Sequence, residues 1–190
     1  MITGKKQKAS VSINVIRILL KYLTKCGIDY DAPCKASGID VLILKDHEAR
    51  ISTKQFDIIW KEAVKKADDI NFGLHFGREI ANSYFGGNIL FSMMTNSATV
   101  GNAMEIFCRY HTLMEDSILP KMKVEDDLAF FLWESIDPHF EISRHISEAL
   151  LCAYVYIIRR ITENNSGLLE VRFRHPRPKD IREHEEVFLV

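Results

Sequence analysis

What this sequence lacks first is a basic excess: 25 Lys and Arg stand against 26 Asp and Glu, a formal net charge of −1. Modules that grip nucleic acid carry a positive surplus to neutralise phosphates, so this chain is not expected to hold DNA by itself. The Lys5, Lys6, Lys8 cluster reads as a solvated terminus. Residues 1–10 are expected to be a flexible lead into one domain over 11–190. Cysteine is scarce as well. Cys26, Cys34, Cys108 and Cys152 are scattered with no C-x-x-C pair, which points to free thiols in a cytoplasmic protein. The longest apolar run, Ala149 to Ile158, is about half of the ~20 residues a membrane helix needs. It reads as a buried helix, and no membrane partner is expected.

Catalytic and metal motifs are missing too. The seven histidines include no H-E-x-x-H, and His139 and His145 are six apart, on different faces of any helix. Gly4-Lys5-Lys6 lacks the glycines of a P-loop, and Gly73 to Gly77 lacks the spacing of a dinucleotide loop. No G-x-S-x-G offers a nucleophile elbow. The pairs Asp68-Asp69 and Asp126-Asp127 fall where helices end and chains turn, which capping and solvation explain. No enzyme, cofactor or metal site is expected.

What remains is an ordinary globular composition, 47% hydrophobic and 27% charged, which suits a sizeable core. Val11 to Cys26 reads as a helix with a stripe of Val15, Ile18, Leu19, Tyr22 and Leu23, stopped by Gly27. Short helices follow at Asp31 to Gly38 and Val41 to Leu44. Ser52 and Gln55 fit a capping box opening a helix to Ala67, with Phe56, Ile59, Trp60, Ala63 and Ala67 on one face. Helices are also expected over Asn71 to Ala81, Ile89 to Met94, Thr99 to Glu115, Ser143 to Glu163 and Lys179 to Phe188.

Ser117 to Glu125 and Leu128 to Ser135 read as a hairpin around Asp126-Asp127. The consecutive Phe130, Phe131, Leu132 and Trp133 predict a strand covered on both faces. Near the end, Leu169, Val171 and Phe173 alternate with Glu170, Arg172 and Arg174, which predicts a half-buried strand closed by Pro176 and Pro178. The fold class is therefore α+β: a helical N-terminal half, then a small antiparallel sheet packed on long helices.

A helix-turn-helix is suggested by Ala36-Ser37-Gly38-Ile39 and set aside, because the next stretch is too apolar and acidic for a recognition helix. His111 lies on the apolar face of Val100, Met104, Phe107 and Met114, either as a core histidine bonded to a carbonyl or as a ligand contact. Arg160 falls on the inner side of its helix, suited to an internal salt bridge or an anionic ligand. Trp60, Tyr84, Phe85 and Trp133 are core aromatics or the lining of an apolar cavity.

Three segments carry a resemblance. The first is Arg50-Ile51-Ser52 with Gln55-Phe56 and Trp60, then Asn71 to Gly77. The second runs from Phe85 to Leu90 through Thr99-Val100-Gly101 to Arg109-Tyr110-His111. The third is Phe173-Arg174-His175-Pro176 with Pro178. In order and spacing, across residues 15 to 188, they resemble the N-terminal effector domain of AraC/XylS-type bacterial transcription regulators, of the arabinose-binding-like type.

The resemblance implies a cytoplasmic domain that binds a small-molecule effector, with DNA contacted only through a C-terminal helix-turn-helix domain. No such motif occurs before Val190, so the expectation is either a sensor domain excised from a longer regulator or a stand-alone variant. Homodimerisation is a further expectation. The competing reading is an interaction module without a ligand.

Overall fold

The computed structural model describes residues 9–84, 88–136, 140–165 and 167–190. The described chain forms two compact units, one from residues 1–66 and 111–140 and one from 67–110 and 141–190. Each has its own framework, and the α+β class holds: most elements are helices, beside two antiparallel strand pairs.

In the first unit, strand β1 (Ser10–Ser12) pairs antiparallel with β2 (Arg50–Ser52). The helix expected from Val11 begins two residues later, as α1 (Ile13–Lys25). Ser12 is the reason: its hydroxyl accepts the Asn14 N–H at 3.3 Å, and its own N–H donates to the Met114 carbonyl at 2.7 Å. The inward stripe is also rotated from the one expected. Leu19, Tyr22 and Leu23 are buried as expected, joined by Ile13, Ile16 and Leu20, whereas Val15 and Ile18 are half-buried. Apolar residues cover more than half of this helix, so periodicity alone does not fix its roll. Gly27 ends it as expected, at φ 73°, where a side chain would be strained.

Helix α2 (Asp31–Ser37) and a 3-10 turn (Val41–Lys45) lead to β2 and α3 (Thr53–Ala67). The capping box forms: Ser52 N–H donates to Gln55 Oε1 at 3.1 Å, and Gln55 N–H donates to Ser52 Oγ at 3.3 Å.

Strands β3 (Ile118–Glu125) and β4 (Leu128–Ser135) form the expected hairpin, with Glu125 opposite Leu128 and Asp126 at φ 50° in the turn. The register sets Phe131 and Trp133 beside Met122 and Pro120 on one face. The other face carries Leu128, Phe130 and Leu132, which remain 45%, 38% and 43% exposed. The expectation of a strand covered on both sides is therefore corrected. Four consecutive apolar residues occupy both faces of any strand, but they do not require that both be packed.

The second unit is built on α4 (Phe72–Tyr84) against α7 (Arg144–Thr162), with α5 (Ile89–Thr95), α6 (Val100–Tyr110) and α8 (Arg182–Phe188) around them. The Gly73 to Gly77 stretch is what lets α4 and α7 meet. A Cβ on Gly73 would stand 2.5 Å from the His145 carbonyl oxygen, and one on Gly77 would stand 2.5 Å from that of Ala149. Ser143 caps α7 by accepting the Ile146 N–H, and α7 buries residues around most of its circumference.

Residues 168–178 are not a strand: among the described residues they have no ladder partner, and the chain bends at Arg174 and His175. Their alternation is nevertheless real. Val171 and Phe173 pack on a cluster of Leu74, Cys152, Val187 and Phe188, while Arg172 and Arg174 face solvent. Leu169, expected inward, is exposed, and Leu168 packs in its place. A period of two reports that one face is buried; it does not say which backbone, if any, lies alongside.

Gly77→Ala tests the α4–α7 contact. Alanine in a helix normally gains up to ~1 kcal/mol over glycine. Here we expect a net loss of about 1–3 kcal/mol from overpacking against backbone, read as a lower urea midpoint with an unchanged slope.

Candidate functional site

Of the residues singled out in the sequence, Trp60, His111 and Trp133 lie in the first unit. His111 is not within the long helix expected for it but opens a separate 3-10 turn (His111–Leu113) after α6 has ended. It is 3% exposed, and its ring edge meets Trp133 at a centroid distance of 5.0 Å. Burial pushes its pKa down to about 3, more than a backbone hydrogen bond at Ile118 restores, so the ring is neutral at physiological pH. Trp60 is buried beside Phe56, with centroids 6.0 Å apart, and Phe56 also meets Phe140 at 6.0 Å.

Tyr84 and Arg160 belong to the second unit. Tyr84 stacks on Phe91 at 5.0 Å, and burial raises its phenol. Arg160 is exposed, which corrects its expected inward placement: the helix turns its neighbour Ile157 inward instead. Phe85 lies outside the described residues. The aromatic candidates thus fall in separate units, and distance in sequence gave no signal of that.

The most unusual chemistry of the second unit was not singled out in the sequence. Glu148, on α7, is fully buried. Its Oε1 accepts from Arg144 Nε and from His184 Nε2, each at 2.7 Å, and His175 Nε2 stands 3.8 Å away. His145 Nδ1 approaches Oε2 at 3.5 Å, but that nitrogen also faces the Gly73 N–H at 3.3 Å, so the contact is loose. Burial alone would raise this carboxyl. The contacts from His145, Arg144 and His184 and the charge of Arg144 outweigh it and bring the pKa down to about 2. The one carboxylate of α7, directly before the apolar run Ala149 to Ile158, was the available signal, because such a charge is retained only when paired.

A second histidine links the same elements. His75 on α4 contacts Asp69 through Nδ1 at 2.6 Å and Glu183 on α8 through Nε2 at 2.5 Å. Burial lowers its pKa, but the Asp69 and Glu183 carboxylates raise it further, so the net direction is up. Arg159 donates to the carbonyls of Val187 and Phe188, which satisfies the C-terminal end of α8.

Between the 168–178 segment and α8 lies a cleft of about 370 Å³, lined by Val171, Phe173, His175, Arg177, His184 and Phe188 among others. That volume is within the range of small-molecule sites, and the lining combines apolar walls with a few polar groups. Among the described residues no group of three or more His, Cys, Asp or Glu is arranged to hold a metal ion, and no helix is long and apolar enough to cross a membrane.

The sequence profile of one protein family, described as the arabinose-binding domain of AraC transcription regulator, N-terminal, matches residues 27–190. No curated protein matches the chain.

The Glu148 centre generates a pH prediction. Its folded pKa of about 2 lies below the ordinary 4.5, so its contribution is fully present above about pH 4.5 and is lost as pH falls towards 2. That contribution is about 3 kcal/mol. Glu148→Gln should be less stable at pH 7 and should lose less on acidification, and paired denaturation curves between pH 7 and pH 3 check both.

Proposed function

The chain belongs to the family of N-terminal arabinose-binding domains of AraC transcription regulators, and we propose that it is the effector-sensing part of such a regulator. It binds a small-molecule effector and controls an attached DNA-binding domain, in the cytoplasm. The family match over residues 27–190 carries this reading. The net charge of −1 agrees with it, since a sensor that leaves DNA contact to another domain needs no basic surface.

The C-terminal cleft is the effector site in this reading. It has the volume and mixed lining of a ligand pocket, and one wall is α8, an element held by discrete polar contacts at Glu148, His75 and Arg159. An effector acts on the attached domain only through its difference in affinity for two conformational states, and about 1–3 kcal/mol of coupling is typical.

Thermal unfolding with a metabolite panel tests the sensor reading. At about 100 times its dissociation constant an effector should stabilise the domain by roughly 2.7 kcal/mol, a shift of several degrees. A panel of sugars, amino acids, amines and organic acids giving no shift at millimolar concentration would overturn it.

A second reading, an interaction module acting through self-association, is favoured by one observation: the apolar Leu128, Phe130 and Leu132 face of the hairpin is exposed. Sedimentation velocity separates the two. Concentration-dependent dimers lost in Phe130→Lys support association through this face, and a monomer at every concentration excludes it.

A further inference from the structure

We infer that His75 is a pH-sensitive clasp on α8, closed while its ring carries both protons and opened when it loses one; this holds whatever the cleft binds. The ring stands between two carboxylates, one from the segment before α4 and one from α8. Nδ1 meets Asp69 Oδ2 at 2.6 Å, and Nε2 meets Glu183 Oε1 at 2.5 Å. Ionised carboxylates only accept, so both contacts are hydrogen bonds only when both ring nitrogens hold a proton.

Each carboxylate spends its second oxygen on Asn71. Asp69 Oδ1 accepts the Asn71 backbone N–H at 2.9 Å, and Glu183 Oε2 accepts from Asn71 Nδ2 at 2.7 Å. Those two bonds do not titrate. The two that do are the ones to His75. Burial works against a charged ring, but the bonds and charges of Asp69 and Glu183 outweigh it, so the pKa lies above the ordinary 6.5. The clasp is therefore fully closed below about pH 6.5 and is lost as pH rises through the folded pKa.

A neutral ring keeps one N–H and turns a lone pair towards the other carboxylate. Asp69 is tied to the same helix as His75, since its carbonyl accepts the Phe72 N–H at 3.1 Å, whereas Glu183 belongs to a separate short helix. The proton stays with Asp69, two acceptors then face each other at Glu183, and α8 loosens from its N-terminal end. Val187 and Phe188 remain in the apolar cluster. Helix α8 supplies His184, Glu185 and Phe188 to the cleft, so its loosening reshapes that wall.

Other ionisable groups border the clasp. Arg78 and Glu79 follow on α4 within one turn. From α7, Arg144 reaches Asn71 Oδ1 at 3.5 Å and pairs with Glu148, and burial pushes the Cys152 thiol up to about 12, so it stays protonated. On α8, Arg182 pairs with Asp180. The imidazoles of His145, His175 and His184 gather at Glu148 and must be told apart from His75.

Imidazole NMR and amide exchange on this chain, followed together from about pH 5.5 to about pH 9, are the test. We expect His75 to titrate above pH 6.5. The protection of the α8 amides from Glu185 to Val187 should fall about fivefold or more with the same midpoint, while the middle of α7 keeps its protection. Asp69→Asn takes one carboxylate from the ring without touching α8, so both midpoints should move down together. Glu183→Gln should abolish the pH response of α8, because a carboxamide donates to the bare nitrogen as readily as it accepts from the protonated one.

The inference is overturned if α8 protection does not change with pH, or if His75 titrates at or below pH 6.5. An α8 midpoint that stays put in Asp69→Asn, or a response that survives Glu183→Gln, assigns the effect to the imidazoles at Glu148 and overturns it too. Parallel loss of protection in α7 reports global unfolding and likewise rules out a clasp.

Discussion

The buried carboxylate of Glu148 is the interaction around which the second unit is arranged. An ionised group removed from water costs several kcal/mol unless charge and hydrogen bonds are supplied on the spot. Arg144 comes from the same helix one turn earlier, His184 from α8, and His175 from the 168–178 segment. Three stretches separated in sequence therefore converge because one side chain cannot stay unpaired. The apolar packing of Leu74, Cys152, Val187 and Phe188 supplies cohesion without direction; the carboxylate supplies the direction.

The close approach of α4 to α7 belongs to the same arrangement. Gly73 and Gly77 leave no side chain between the helices, so backbone meets backbone at His145 and Ala149. His75, two residues from each glycine and so on another side of α4, faces Glu183 on α8. Helix α8 is thus held to α4 through His75 and to α7 through Glu148, with Arg159 closing its C-terminal end. In the first unit Arg50 plays a comparable part. It bonds Ser10, the Leu113 carbonyl and Asp116, which ties β1 and β2 to the segment leading into the hairpin.

For a regulatory domain these contacts have a functional sense. A cleft walled by a helix that is held by polar contacts as well as by the apolar packing of Val187 and Phe188 can link occupancy to the position of that helix. Ion pairs and hydrogen bonds are either made or broken, so the element they hold has discrete arrangements that a ligand can bias. Family membership states that the domain is regulatory.

Much of the local structure was legible in the sequence. The Ser52–Gln55 capping box, the Gly27 stop, the Asp126-Asp127 hairpin and the boundaries of α7 follow from hydrogen-bond chemistry within a few residues, which tertiary contacts leave intact. The family was legible too, and its match covers residues 27–190. What periodicity could not fix was everything that needs a partner: the roll of α1, the uncovered face of Phe130 and Leu132, the exposed Arg160, and the unpaired backbone of residues 168–178. The candidate site was the least legible part. Phe173 and His175 entered only through the expected strand and the family resemblance, and Glu148 was not singled out at all. Their roles arise when α7, α8 and the segment between them come together in space. The sequence determined the elements and the family, because those are written in short-range spacing; tertiary structure alone decided which imidazoles share a carboxylate, because burial, not sequence, makes that pairing necessary.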